Sequence, residues 1–147
     1  MNRADAPPKS PAIEGRADFG VTRREPVRSR GHESLNDWLK RFAFTNERNE
    51  SARTYVVHRN GLVIGYYSIS AGSVSVEEAP PRISKGLARD PIPVILLARL
   101  AVDKDEKGTG LGNALLKDAL GRIAQAADIV GVRAVLVHAI DEQARKF

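Results

Sequence analysis

The sequence contains no cysteine. A disulfide framework, a thiolate metal site and a cysteine nucleophile are therefore excluded together. Histidine is nearly as scarce: His32, His58 and His138 lie far apart, which argues against a histidine-rich metal centre. No apolar run approaches the ~20 residues that span a bilayer. No apolar stretch follows Met1 in the manner of a secretory signal either. The expected compartment is the cytoplasm, with no membrane partner. An excess of acid is also lacking. Lys and Arg number 23 against 18 Asp and Glu, a formal charge of +5. This rules out an acidic tail and permits an acidic partner such as RNA or a phosphate-rich cofactor.

What is present fits a single domain. A chain of 147 residues, 42% hydrophobic and 28% charged, buries one core. Its eight prolines fall in two clusters. Pro7, Pro8, Pro11 and Pro26 punctuate residues 1–30, which carry no sustained period and are expected to form a flexible arm. Residues 31–147 then make the folded domain. Pro80, Pro81, Pro91 and Pro93 mark a long loop over residues 77–93. Arg82, Lys85 and Arg89 on that loop are candidates for RNA phosphate, or simply a solvated basic surface. Aromatics are sparse around them, so no independent RNA-binding motif is expected.

Periodicity supplies the elements. Leu35, Trp38, Leu39 and Phe42 share one helix face, with Ser34 placed to cap it. Residues 54–59 and 62–70 are β-prone runs around Asn60-Gly61, a strong hairpin signal. Residues 94–103 are almost wholly apolar and read as a central strand. A helix over 111–127 follows, with Leu111, Leu115, Ala119 and Ile123 on one face. Residues 132–139 read as a second buried strand, and 141–145 as the first turn of a helix capped by Asp141. The strand–helix–strand implies parallel strands, and the hairpin makes the α/β sheet mixed. Tyr66 and Tyr67 alternate on their strand, so one should face the core and the other an acceptor cleft, with core the stronger reading for either alone. His138, in a buried strand, reads as a satisfied core histidine. Arg99, mid-strand, needs a partner, whether structural or a substrate.

The segment with chemistry in it is Lys107-Gly108-Thr109-Gly110-Leu111-Gly112-Asn113, between a strand and an amphipathic helix. Glycines there let backbone N–H groups close around an anion at a helix N-terminus. Phosphate or pyrophosphate is the natural ligand. A Walker loop needs Gly-Lys-Ser/Thr, but Asn113 and Ala114 follow Gly112. A dinucleotide fingerprint needs Gly-x-Gly-x-x-Gly, and the spacing here is Gly-x-Gly-x-Gly. A tight strand-to-helix turn with no ligand uses the same glycines.

The run Arg99-Leu100-Ala101-Val102-Asp103, then Lys107-x-x-Gly110-x-Gly112, resembles the acetyl-coenzyme A site of the GCN5-related N-acetyltransferases (GNAT). Lys107 stands where that family has Gln or Arg; it keeps the charge but not the planar fork. Trp38-Leu39, residues 51–57, Gly65-Tyr66-Tyr67-Ser68-Ile69, 91–102 and 131–139 are similar to one branch, the acetylating toxins of bacterial toxin–antitoxin pairs. The resemblance covers roughly residues 34–147. It implies a GNAT-type mixed sheet with flanking helices, and acetyl-coenzyme A as cofactor. The cofactor residues it implies are Leu100, Ala101, Val102, Lys107, Gly108, Thr109, Gly110, Leu111, Gly112 and Asn113. It implies acetylation of the α-amine of aminoacyl-tRNA, which blocks translation, with a ribbon–helix–helix antitoxin as partner and a homodimer as assembly. An acceptor that is a small amine or a protein N-terminus is the alternative, as is a cofactor-binding remnant or antitoxin without turnover. In this branch the last helix reads Ala-x-x-Phe-Tyr, its Tyr serving as general acid. Ala144-Arg145-Lys146-Phe147 matches to the Phe, so the Tyr would follow Phe147. The family's last two strands are expected to be missing as well, leaving the domain C-terminally incomplete.

Overall fold

The structure, a computed structural model, describes residues 41, 45–46, 49, 51–60, 62–87, 91–139 and 142–147. The expected N-terminal arm, most of the helix over 34–42, Gly61 and the capping Asp141 lie outside them.

The β-branched run after Arg53 forms β1 (Arg53–Arg59), and the run after Asn60 forms β2 (Leu62–Val74). They pair antiparallel, from Arg53 opposite Ile69 to Arg59 opposite Leu62. Asn60 takes a left-handed φ of 51°, which Asn tolerates better than bulkier residues and which this kind of hairpin turn requires. β2 runs past Ser70 because a second partner extends it. This is β3 (Ile92–Val102), which pairs antiparallel with it from Val74 opposite Ile92 to Gly65 opposite Val102.

The Pro-rich segment is not all loop. Pro81–Ser84 makes a one-turn helix, α1, with Pro81 at a first position where its missing N–H has no intrahelical use. Pro93 lies inside β3, opposite Ser73, and its carbonyl accepts the Arg133 N–H at 3.0 Å.

After β3 a 3-10 turn (Lys104–Glu106) leads to α2 (Leu111–Val130), β4 (Ala134–Val137) and α3 (Glu142–Lys146). β4 is parallel to β3, from Val94 opposite Ala134 to Leu97 opposite Val137. The sheet order is β1-β2-β3-β4, a mixed four-stranded sheet. α2 buries the four residues its period marks, Leu111, Leu115, Ala119 and Ile123. It outruns the expected end and stops where left-handed Gly131 returns its N–H to the Ala127 carbonyl at 3.0 Å. The core joins Leu111, Leu115 and Ala119 to Val57, Ile64, Tyr67 and Leu97 of the sheet. Gly65 is what lets α2 approach β2: a Cβ there would lie 2.9 Å from Leu115 Cδ1.

The second strand of the βαβ unit departs from expectation. It is four residues long rather than 132–139, and it is not buried: Val135, Leu136 and Val137 are 39%, 46% and 57% exposed. β4 has β3 on one side and, among the described residues, no strand on the other. His138, past its end, is exposed and is no core histidine.

Candidate active site

Leu100, Ala101 and Val102 occupy the last residues of β3. On one edge they stay paired to β2, Leu100 opposite Tyr67 and Val102 opposite Gly65. On the other edge the ladder to β4 ends at Leu97. Residues 98–102 therefore leave backbone groups on that edge without β4, at the point where β3 and β4 part. The register with β2 also shifts between Ser68 and Ile69, so Ser68 faces Arg99 and Ile69 faces Leu97. The odd residue is Ala98, at the start of the open stretch. Leu100 and Val102 pack against the core cluster, so their backbone is the part free for chemistry.

The chain then turns through Asp103. Its carboxylate accepts the Asp105 N–H at 2.9 Å, and Thr109 closes the turn onto the Glu106 carbonyl through Oγ1 at 2.7 Å. Gly108 and Gly110 have φ of 80° and 86°, and a Cβ on either would meet nothing within 4 Å. Glycine is required there by the left-handed backbone rather than by crowding. Gly110 is the N-cap of α2 and offers no side chain to its first N–H groups. The N–H groups of Leu111, Gly112 and Asn113 have no acceptor within the helix. No acidic residue occupies the first turn. The positive end of a 20-residue helix is thus uncapped and carries no carboxylate in its own first turn, with the exposed Lys107 beside it. These features suit a polyanion such as pyrophosphate.

Gly112 has a different reason to be glycine. A Cβ there would lie 3.0 Å from Phe147 Cζ and 3.6 Å from Val102 Cγ2. Phe147, carried by α3, rests against the first turn of α2 next to the end of β3. All ten expected cofactor residues are thus gathered at one end of β3 and α2. Leu111 joins them by backbone only, its side chain being buried in the core.

Both tyrosines are core, the stronger reading for either alone, and neither faces a cleft. Tyr66 and Tyr67 are 2% and 0% exposed, each buried on its own face of β2. Burial pushes the Tyr66 phenol well above its ordinary value, with Arg99 opposing. Burial likewise raises Tyr67, and its hydrogen bond to Asp118 adds to the effect. The Tyr67 hydroxyl donates to Asp118 Oδ2, which also accepts from Arg122 Nε at 2.9 Å. The Arg122 guanidinium lies 4.3 Å above the ring of Tyr55, and Tyr55 stacks on Tyr67 at 5.0 Å. This group ties α2 to the sheet. Neither tyrosine is a free acid. Arg99 is half-buried, opposite Ser68 and close enough to Tyr66 to act on its charge. Arg82 and Lys85 are exposed on and after α1; Arg89 lies outside the described residues.

Among the described residues no group of three or more His, Cys, Asp or Glu is placed to hold a metal ion. No helix there is long and apolar enough to cross a membrane. Sequence reading missed an ion pair between Arg59 and Glu106 and the quartet around Asp118. Their partners are far apart in sequence, so no local pattern signals them.

Comparison with known proteins places this geometry. The acetyltransferase (GNAT) family matches residues 18–147. The chain is 49% identical over 119 residues to a tRNA-acetylating toxin of Mycobacterium tuberculosis, covering 81% of this chain and 71% of that protein. The solved structure of AtaT complexed with acetyl-methionyl-tRNAfMet superposes with a TM-score of 0.79 at 28% identity. It covers 94% of this chain and 83% of its own. A Tyr→Phe variant of the toxin AtaT, bound to the C-terminus of the antitoxin AtaR and acetyl-CoA, gives a TM-score of 0.65 at 30% identity. There the match covers 80% of this chain and 68% of the other.

Proposed function

The chain belongs to the GNAT acetyltransferase family, and from that premise we propose that it is an acetyl-coenzyme A-dependent toxin that acetylates the α-amine of aminoacyl-tRNA. The observation that carries the reading is the meeting of an uncapped helix N-terminus with the open edge of β3. The first suits a pyrophosphate and the second a thioester carbonyl, as acetyl transfer from this cofactor requires. The relatives' own ligands support it: one is solved with acetyl-methionyl-tRNA and another with acetyl-CoA.

Bound acetyl-coenzyme A supplies an acetyl group activated as a thioester. The backbone N–H groups at Gly108, Gly110, Leu111, Gly112 and Asn113 would hold its pyrophosphate, with Thr109 fixing the turn and Lys107 adding charge. Within residues 100–102, the backbone of Leu100 and Val102 on the open edge would polarise the thioester carbonyl, with Ala101 anchoring the strand to β2. The amine would attack neutral; as the C–N bond forms and the C–S bond breaks, the nitrogen gives up one proton to solvent and the leaving thiolate takes one from an acid. The hydroxyl for that proton is assigned to the Tyr that the resemblance puts after Phe147, because Phe147 lies against Gly112 in the first turn of α2. Further strands pairing on the exposed edge of β4 would complete the sheet and cover Val135 and Val137. A ribbon–helix–helix antitoxin and a second copy of the chain are the proposed partners, and the cytoplasm, where charged tRNA resides, the proposed compartment. The net charge of +5 suits a tRNA substrate.

The test is acetyl transfer from labelled acetyl-CoA to charged tRNA. It is run with residues 1–147 and with a chain extended through the expected Tyr and further strands. Label should enter the aminoacyl group of charged tRNA, spare uncharged tRNA, and enter on the order of 10²–10⁴-fold faster with the extended chain. Label passing only to free amines or protein N-termini would favour the other acceptors. Equal, robust turnover by both chains would show the Tyr assignment to be wrong.

A further inference from the structure

The turn that leads into the glycines is fastened to the hairpin at both ends. At its start the Asp103 N–H donates to the Ile64 carbonyl of β2 at 2.7 Å. At its end Arg59, the last residue of β1, donates through Nη1 to Glu106 Oε1. The Glu106 carbonyl in turn accepts from Thr109, from Oγ1 at 2.7 Å and from N–H at 3.3 Å. Thr109 is followed directly by Gly110, the N-cap of α2. A continuous chain of contacts thus runs from Arg59 through Glu106 and Thr109 to the first residue of the anion-binding turn.

Charge makes the same connection. The Glu106 side chain is only 13% exposed, whereas that of Arg59 is 48% exposed. A poorly solvated carboxylate adjoining Lys107 opposes a polyanion bound at the loop, because screening by water is weak there. Arg59 cancels that charge and fixes where it points. A half-exposed ion pair adds little to global stability, so its effect falls on the loop rather than on the fold.

We propose that Arg59 is a positioning residue for the cofactor loop, acting through Glu106 to hold the turn and to neutralise the carboxylate beside the bound pyrophosphate. The proposal rests on the assignment of this loop to acetyl-coenzyme A. Calorimetric titration with acetyl-CoA tests both separately. It compares the wild-type chain, Arg59→Ala, the double variant Arg59→Ala with Glu106→Gln, and the exchange Arg59→Glu with Glu106→Arg. Arg59→Ala should weaken binding about tenfold with little change in melting temperature. Removing the stranded carboxylate in the double variant should recover part of the loss, and the exchange should recover most of it. Arg59→Ala binding as tightly as wild type would overturn the proposal. So would a loss that neither second substitution repairs, which would mark a merely structural pair. A wild-type chain that does not bind acetyl-CoA at all would instead overturn the cofactor assignment, and this inference with it.

Discussion

The two edges of β3 are built from the same residues and do opposite things. Toward β2 the ladder runs from Ile92 to Val102, interrupted only by the shift at Ser68 and Ile69. Toward β4 it covers Val94 to Leu97 and then stops. Residues 100–102 are therefore structural on one side, where the Ala101 carbonyl approaches Gly65 of β2, and available on the other, which Leu100 and Val102 face. Side-chain type does not distinguish the edges, since successive residues turn their backbone groups to them alternately. The difference comes from the neighbours. β2 continues alongside β3, whereas β4 parts from it at the bulge. One strand can thus anchor the core and serve a cofactor, provided the two jobs fall on different edges.

If the jobs are separable, damage to the core side should lower stability while sparing affinity. Leu115 is the sharpest place to look. It is fully buried in the cluster that joins α2 to the sheet. Leu115→Ala should cost about 2–5 kcal/mol, the range for truncating a buried leucine, read from the urea midpoint. Acetyl-CoA affinity, measured where the variant is still folded, should stay close to wild type. Affinity that collapses in step with stability would show that the two edges are one mechanical unit.

The converse damage falls on the loop. Gly110 sits at φ 86° with open space around it, so the objection to a side chain there is conformational. Gly110→Val places a β-branched residue in the left-handed region, at a cost of about 1–3 kcal/mol. Because the strain is relieved by moving the turn, acetyl-CoA affinity should fall by at least about tenfold. Calorimetry giving an unchanged affinity would remove the pyrophosphate site from this loop.

Much of this division was legible in the sequence, and the illegible part has a common cause. The hairpin at Asn60, the apolar β3, the Leu111–Leu115–Ala119–Ile123 face and the glycine turn are local patterns, carried by spacing within a few residues. The exposure of β4 was not local. Val135 and Val137 read as core because they are apolar, but burial depends on what lies on the far side of the strand. The same holds for Tyr66 and Tyr67, whose alternation is visible but whose neighbours are not. The Arg59–Glu106 and Tyr67–Asp118 contacts span 47 and 51 residues, and only the folded sheet brings them together. The bulge at Ala98, which marks where the site opens, leaves no pattern of its own in a run that is apolar but for Arg99.

The smallest expected effect concerns the far side of the comparison, where β2 supports the strand. Tyr67→Phe keeps the ring against Tyr55 and removes only the hydroxyl that donates to Asp118. Asp118 retains Arg122, so no buried carboxylate is stranded and the loss should be about 1 kcal/mol. Its signature lies in alkaline solution. Burial raises the Tyr66 and Tyr67 phenols above their ordinary 10.0, so the unfolded chain gives up these protons before the native one does. Their contribution to stability is complete below pH 10.0 and declines as pH rises above it. Wild-type urea midpoints should therefore fall between about pH 10 and pH 11, and more steeply than those of Tyr67→Phe, which has one raised phenol fewer. Acetyl-CoA affinity of the variant at neutral pH should match wild type, because the lost hydroxyl lies on the supporting side of β3. Parallel pH profiles would place Tyr67 in contact with solvent rather than locked under α2, and a lowered affinity would show that the β2 edge shapes the site it was thought only to support.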